Sequence, residues 1–448
     1  MNQTIKTIVL ACFITFFHLP AQAVSEQEAA SSDRRGDFSV AAEAYKQLVA
    51  LNPSSAALRL KYADVLAKNR EWNAAINEYE TMLKLHPNNT EAVLGIATVR
   101  RWQGNIREAK RANEQARLLS PTHSDPVLGL AATYALDHDF DNAGKLYSQA
   151  VTTWPADTGV KHAAYIFQRQ RNPRLYLFWE NDLSFESRQA GVNIPFGGRE
   201  EIGVEYQDET SIAPALGNAR VYTRSDKKVF YTHYFGLNHM LDFSARNSEY
   251  QYNVTVSSYT GIDTYQEYRL RYTVPLTPEQ VLSVRYTPRP TTLKLSQDRF
   301  TAHKIEGEFN SRWTPRISTL IGGGWLRDLE SNATSTDQLT DRSLIKLGAQ
   351  FEASNRLSLG AKFITNPDLD NTMNSTLIAE GSYTLTDTWS ALGRLRSDDY
   401  KTGAGQTSYY AGARFVPNSH WWSEFGLKYV TRGATSGTFG LASVSYRF

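Results

Sequence analysis

Four stretches of this chain decide its fold: FSVAAEAYKQLVALNP (38–53), WNAAINEYETMLKLHP (72–87), IREAKRANEQARLLSP (106–121) and FDNAGKLYSQAVTTWP (140–155). Laid over one another, they place Ala41, Ala75, Ala109 and Ala143 in one column and Pro53, Pro87, Pro121 and Pro155 in another, each step being 34 residues. A third column is aromatic at Tyr45, Tyr79 and Tyr147, with Asn113 in the remaining slot. A small alanine lets paired helices cross closely. A proline ends the second helix of each pair because it has no N–H to donate. The spacing predicts second helices at 38–51, 72–85, 106–119 and 140–153, and first helices at 56–68, 90–102, 124–136 and 158–169. This gives three full helix pairs with a half unit at each end, stacked as a curved solenoid with a concave face.

The array resembles the tetratricopeptide repeat family in its period, its small residue and its closing proline. The family's glycine of the first helix is replaced by Ala63, Ala97 and Ala131. The resemblance implies that the concave groove binds a peptide or protein, with Asp64, Lys68, Arg101 and Trp102 at the groove positions. Upstream, Lys6 precedes an apolar run from Ile8 to Phe17, and Pro20 and Ala21-Gln22-Ala23 follow. That pattern is a secretory signal peptide at 1–23. A lipoprotein reading at Val9-Leu10-Ala11-Cys12 leaves few apolar residues before the cysteine. Cys12 is the only cysteine, so the mature chain has no disulfide. Residues 24–37 are polar and read as flexible. The repeat domain is then 38–171.

From 174 to 448 the period becomes two. In 408–416, Tyr409, Ala411, Ala413 and Phe415 alternate with Ser408, Tyr410, Gly412 and Arg414. Alternation of this kind fits a sheet facing either a core or lipid. Short turns near 197–198, 237–238, 277–278, 314–315, 354–355, 386–387 and 418–419 interleave with longer loops such as 209–218, 288–298, 328–340, 366–374 and 397–405. Short turns at one end and long loops at the other describe an antiparallel transmembrane β-barrel. Trp313, Phe351, Trp389, Phe415 and Trp421 beside the turns would form its interfacial girdle. Seven turns and eight loops make about sixteen strands, within a range of fourteen to eighteen, since 219–235 and 239–258 are long enough to hide a hairpin. A soluble propeller would need four strands per interval, and the runs are too long for that.

A net charge of +2 over 448 residues gives no basic surface for nucleic acid. No phosphate loop or zinc spacing is present, and no cofactor or metal is expected. The inward positions carry both signs: Glu267, Arg269, Arg271 and Arg285 on early strands, and Arg394, Arg396, Arg414, Glu424 and Lys428 on later ones. In a barrel this wide they would line a pore. Asp398-Asp399, read as an extracellular loop tip, is the one carboxylate pair that could activate water, and 366–371 the one oxygen-rich run for calcium. His233, His239 and His303 have no triad partners set by spacing, so no catalytic residue is assigned.

A leader, a short repeat arm and a barrel of about sixteen strands, in that order, resemble the outer-membrane secretins of bacterial exopolysaccharides. The poly-N-acetylglucosamine export porin and the cellulose-secretion outer-membrane subunit are examples; the order is also similar to that of the smaller YaiO-type outer-membrane proteins. The resemblance implies a passive conduit in the outer membrane with the repeats in the periplasm. Its partners would be outer-membrane lipid, an exopolysaccharide and periplasmic or inner-membrane synthase proteins. The last strand, ending at Phe448, resembles the signal read by the barrel assembly machinery. A receptor or scaffold without transport, and a barrel hydrolase, are the other classes the order of parts allows.

Overall fold

The computed structural model describes residues 25–447 apart from short connections at 182–184, 214–218, 253–261, 293–298, 332–337 and 366–372 and single positions at 355, 402 and 419. The leader with Cys12, the 366–371 run and Phe448 lie outside the described residues. Helices come first: α1 Glu26–Arg35, α2 Phe38–Leu51, α3 Ala56–Lys68, α4 Trp72–Leu85, α5 Thr90–Gln103, α6 Ile106–Leu119, α7 Asp125–Leu136, α8 Phe140–Thr153 and α9 Thr158–Gln170. None of them is long and apolar enough to cross a membrane. The chain divides into two compact units, one up to Val99 and one from Arg100 onward.

In the first unit the repeat columns are its core. Ala41 and Ala75 are fully buried, and Tyr45 and Tyr79 nearly so. The Tyr79 ring lies flat on α5 where Gly95 leaves room: a Cβ at 95 would sit 2.3 Å from the ring. Of the segment 24–37 read as flexible, the described residues 25–37 are ordered, which corrects the sequence reading. They carry α1, started by a capping box in which Ser25 and Glu28 satisfy each other's backbone N–H. Gly36 ends it at φ +80°, with the Asp37 N–H returning to the Ser32 carbonyl. Lys61 and Lys68 of α3 reach Glu26 and Asp33 of α1. Thus α1 is the first helix of a complete unit, and the described array is four helix pairs plus α9.

Two 34-residue columns would have revealed it. Ala29 continues the column Ala63, Ala97, Ala131, and all four are buried. The left-handed residues Gly36, Arg70, Gly104 and His138 form another, each closing a first helix. Polar composition hid the helix, because its apolar contribution is one small residue.

After α9 come sixteen strands: β1 Arg174–Asn181, β2 Phe185–Phe196, β3 Glu200–Ala213, β4 Ala219–Gly236, β5 His239–Tyr252, β6 Ile262–Thr277, β7 Gln280–Thr292 and β8 Arg299–Thr314. The remainder are β9 Ile317–Ser331, β10 Gln338–Glu352, β11 Leu357–Thr365, β12 Met373–Thr384, β13 Trp389–Tyr400, β14 Gln406–Phe415, β15 Trp421–Arg432 and β16 Thr435–Arg447. Each pairs antiparallel with its sequence neighbours, and β1 closes on β16 with Leu177 opposite Val444. All seven short turns fall where the sequence places them. The long runs at 219–235 and 239–258 hide no hairpin, because β4 and β5 are single strands in register from Tyr222↔Tyr252 to His233↔Leu241. The opposite connections are shorter than expected: β3, β7 and β13 run several residues into the regions read as loops. β15 and β16 meet across Gly433-Ala434 alone, with Gly433 at φ +58°. Polar strand ends that project past the apolar band look like loop in sequence.

One face of the sheet is apolar and open, including Leu177, Val204, Val229, Leu270, Ile321 and Leu427. So large an exposed apolar surface would aggregate in water and is matched by hydrocarbon. Trp313, Phe351, Trp389 and Trp421 are exposed at the turn end, and Phe415 packs 4.5 Å from Trp389, centroid to centroid. The chain is therefore a membrane-spanning barrel of outer-membrane type joined to tetratricopeptide repeats.

If α1 belongs to the fold, Ala29→Leu overpacks a closed helix crossing and costs about 1–3 kcal/mol. Urea titration of the full chain in detergent, followed by its helical circular dichroism, should show the repeats unfolding earlier. An unchanged midpoint would mean that 24–37 is flexible after all.

Candidate functional site

Within the second unit, repeat turns sit on barrel turns. The α7–α8 turn carries Asp137, His138 and Asp139. Asp137 accepts the Leu237 N–H at 3.1 Å with one oxygen and pairs with Lys110 at 2.9 Å with the other. Asp139 pairs with Arg199 at 3.1 Å, and Arg199 also donates to the Asp137 carbonyl. The Phe140 N–H donates to the Gly198 carbonyl, and Arg171 to that of Gly197. His138, at φ +54°, stacks on Tyr234 with centroids 4.0 Å apart and planes within 6°. One repeat earlier, Arg312 donates to the Gln103 carbonyl at 2.8 Å, and a Cβ on Gly104 would meet Leu237 at 3.5 Å and Pro278 at 3.6 Å. At the far side Tyr165 of α9 bonds His420 in the β14–β15 turn. These residues were missed in sequence because each contact joins positions far apart in the chain. The left-handed column Gly36, Arg70, Gly104, His138 is the one signal that singles out the turns.

Burial sets the electrostatics here. Desolvation holds His138 below the usual imidazole value, with Arg199 adding repulsion and Asp137 opposing it. Burial raises the Asp139 carboxyl, but bonds from Asn142 and the charges of Arg199 and Lys110 outweigh it and leave the group lowered.

The four expected groove residues divide between the units. In the first, the Asp64 carboxylate accepts the Tyr79 hydroxyl, and burial pushes its pKa up. Lys68 donates to both oxygens of Asp33 at 2.7 and 2.9 Å. In the second, burial pushes Arg101 down beside Tyr147, while Trp102 is exposed.

The barrel interior has two unlike halves. Along β3–β10 it is filled by ion pairs. Glu306 takes Arg285, Lys304 and Lys346 at 3.4, 3.3 and 2.7 Å, and Lys346 also holds Glu308. Arg269 pairs with Glu267, Arg271 with Asp242, and Arg224 with both Glu209 and Asp226. Along β8–β16 and into β1 and β2 the interior opens into a cavity of 1210 Å³. Of the nine residues proposed as pore lining, Arg394, Arg396, Arg414, Glu424 and Lys428 border this cavity. Glu267, Arg269, Arg271 and Arg285 lie on the filled side. Its wall also holds aromatics that the sequence reading passed over, among them Tyr176, Tyr400, Tyr410 and Trp422. On β14 the lining runs from Gln406 to Arg414, and on β13 from Leu392 to Tyr400. Eight steps at about 3.4 Å per residue make roughly 27 Å of strand. The cavity therefore follows the barrel from the turn end, at Trp422, to the loop end, at Tyr400.

Asp398 and Asp399 are not a loop tip, which corrects the sequence reading. Both lie in β13, where successive side chains point to opposite faces. Asp398 is buried and accepts from Thr376 at 2.7 Å and from Arg396. Asp399 accepts from Asn374. The two carboxylates do not share a water. His233 lies 3.1 Å from Glu200, His239 bonds Tyr272, and His303 bonds Tyr286.

The tetratricopeptide repeat family model matches residues 28–90. No curated protein matches the chain. Among solved structures, the protein titled MamA is 19% identical, with a TM-score of 0.26, over 31% of this chain and 76% of its own. CdiB from Acinetobacter baumannii is 8% identical, with a TM-score of 0.43, over 62% of this chain and 60% of its own. A bacterial polysaccharide outer membrane secretin is 10% identical, with a TM-score of 0.42, over 62% of this chain and 99% of its own. At such values likeness does not transfer function, and the reading rests on the chain's own geometry.

His138 makes the docking pH-dependent. Its pKa is lowered when docked, so at pH values above its ordinary 6.5 both states are neutral and docking is at full strength. As pH falls below 6.5 the undocked state gains the proton and docking weakens. Hydrogen exchange at 137–142, corrected for its intrinsic rate, should accelerate between pH 7.5 and 5 and lose that dependence in His138→Asn. Equal protection across this range would contradict the arrangement.

Proposed function

We propose that this protein is a passive outer-membrane conduit for an exopolysaccharide, with the repeats at the periplasmic mouth. The observation that carries the reading is the cavity lined from Leu392 to Tyr400 on β13 and from Gln406 to Arg414 on β14. Its wall sets charged groups beside aromatic rings: Arg414 lies 5.3 Å from the Trp422 centroid, and Arg396 and Tyr400 share the lining on β13. Sugar rings stack on such faces and bond such charges weakly and repeatedly. Many weak sites allow passage where one tight site would hold the polymer.

The sidedness follows from the turns. Short turns of such barrels are periplasmic, and the repeats bind the short-turn end. A secretory leader at 1–23 fits that placement. In this reading outer-membrane lipid surrounds the apolar belt, and the barrel assembly machinery recognises the closing strand β16. The repeats would receive the polymer or its synthase partners, with exposed Trp102 as one contact. The ion pairs filling the β3–β10 half favour a second reading, in which the barrel anchors a receptor or assembly scaffold and conducts nothing.

Single-channel recording of the purified chain in planar bilayers separates the two. The conduit predicts open channels that a neutral oligosaccharide such as maltohexaose blocks at millimolar concentration, with block weakened several-fold by Trp422→Ala. A barrel that stays closed would leave the scaffold reading.

A further inference from the structure

The formal charges along the cavity nearly cancel, yet the charges it presents do not. Four ion pairs border it: Arg394–Glu380, Arg396–Asp398, Arg414–Glu424 and Lys428–Glu180. In two of them the carboxylate lies under its partner. Arg396 is 46% exposed over Asp398 at 4%, and Arg414 is 37% exposed over Glu424 at 8%. Lys428 and Glu180 are both mostly covered, the lysine more so. At Arg394 and Glu380 both groups are open, at 45% and 57%. Three guanidiniums therefore face the cavity against one well-exposed carboxylate.

The cause is side-chain length. A carboxylate on a strand stays near the wall, where Asp398 takes the Thr376 hydroxyl and Glu424 that of Tyr410. An arginine reaches past its partner, keeps donors free on the far edge of the fork, and presents them to whatever fills the lumen. On the filled side Arg269 and Arg271 follow the same order over Glu267 and Asp242, whereas Arg342 lies beneath Asp328. A guanidinium that stands proud of its partner keeps a positive field in the lumen although the pair is neutral in sum.

We infer that the β12–β15 wall is an anion-selective track, and that the solute it passes is a carboxylate-bearing polysaccharide. Arg394, Arg396 and Arg414 lie on adjoining strands β13 and β14, with Arg394 opposite Tyr410 in the register. A uronate-type sugar fits this wall on two counts: its carboxylate meets a guanidinium fork, and its ring face lies against Trp422. A cationic, amino-sugar polymer meets the wrong sign. This rests on the conduit reading and adds the substrate's charge to it.

The test is the reversal potential of the full chain in planar bilayers across a tenfold KCl gradient, followed by block with charged oligosaccharides. Expected are a preference for chloride over potassium, and block by oligogalacturonate at concentrations at least tenfold below those needed for maltohexaose or glucosamine oligomers. Glu380→Gln should increase the chloride preference. The double substitution Arg394→Gln with Arg396→Gln should reduce it, with heat-modifiable mobility on gels confirming a folded barrel. An open channel that prefers potassium, or that glucosamine oligomers block first, overturns the anionic track and leaves the conduit standing. A barrel that never opens overturns both.

Discussion

A chain that crosses hydrocarbon on strands can leave no backbone N–H or C=O unpaired. Pairing β1 with β16 meets that demand, and most of the remaining structure follows from it. A closed sheet has one face to lipid and one to a lumen, so the sequence alternates with period two from Leu175 onward. Within the hydrocarbon band charges belong on the inner face. There they must find partners, and they do, from Lys428–Glu180 to the cluster around Glu306. Because the pairs form along the wall, they crowd one half of the interior and leave the other open.

The repeats obey a different constraint, and the two meet at their turns. Each helix pair adds one closing turn with a left-handed residue, and two of these, at Gly104 and His138, rest on the barrel. Hairpin turns on the rim recur at two strand spacings, about 10 Å, and stacked helices at about 8–10 Å. The similar intervals let successive repeat turns address neighbouring hairpin turns. The contacts are polar and backbone-directed, as at Asp137 with the Leu237 N–H. They fix orientation through hydrogen bonds, with apolar contact confined to His138 on Tyr234 and Leu237 beside Gly104.

Much of this was legible in the sequence because it is periodic. The proline and alanine columns place the helices of the repeats to within a residue, and the seven short turns place the strand pairs. What was not legible lacks a period or mimics another state. The α1 helix is polar because its buried face is chiefly Ala29, and it read as flexible chain. The polar ends of β3 and β13 read as loop, which turned Asp398 and Asp399 into an apparent loop pair. Composition counts charges without their heights, so the lumen looked neutral. Asp137 and Leu237 stand a hundred residues apart, and no local pattern joins them.

The central claim is that one face of β13–β15 borders water and the other borders lipid. Single cysteines report this directly, because Cys12 in the leader is the only native one. Arg394→Cys, Tyr410→Cys and Trp422→Cys, reconstituted in vesicles, should react quickly with a membrane-impermeant thiol reagent. Leu395→Cys, Phe425→Cys and Leu427→Cys should react at least tenfold more slowly. Equal rates for the two sets, or the reverse order, would contradict the barrel as described.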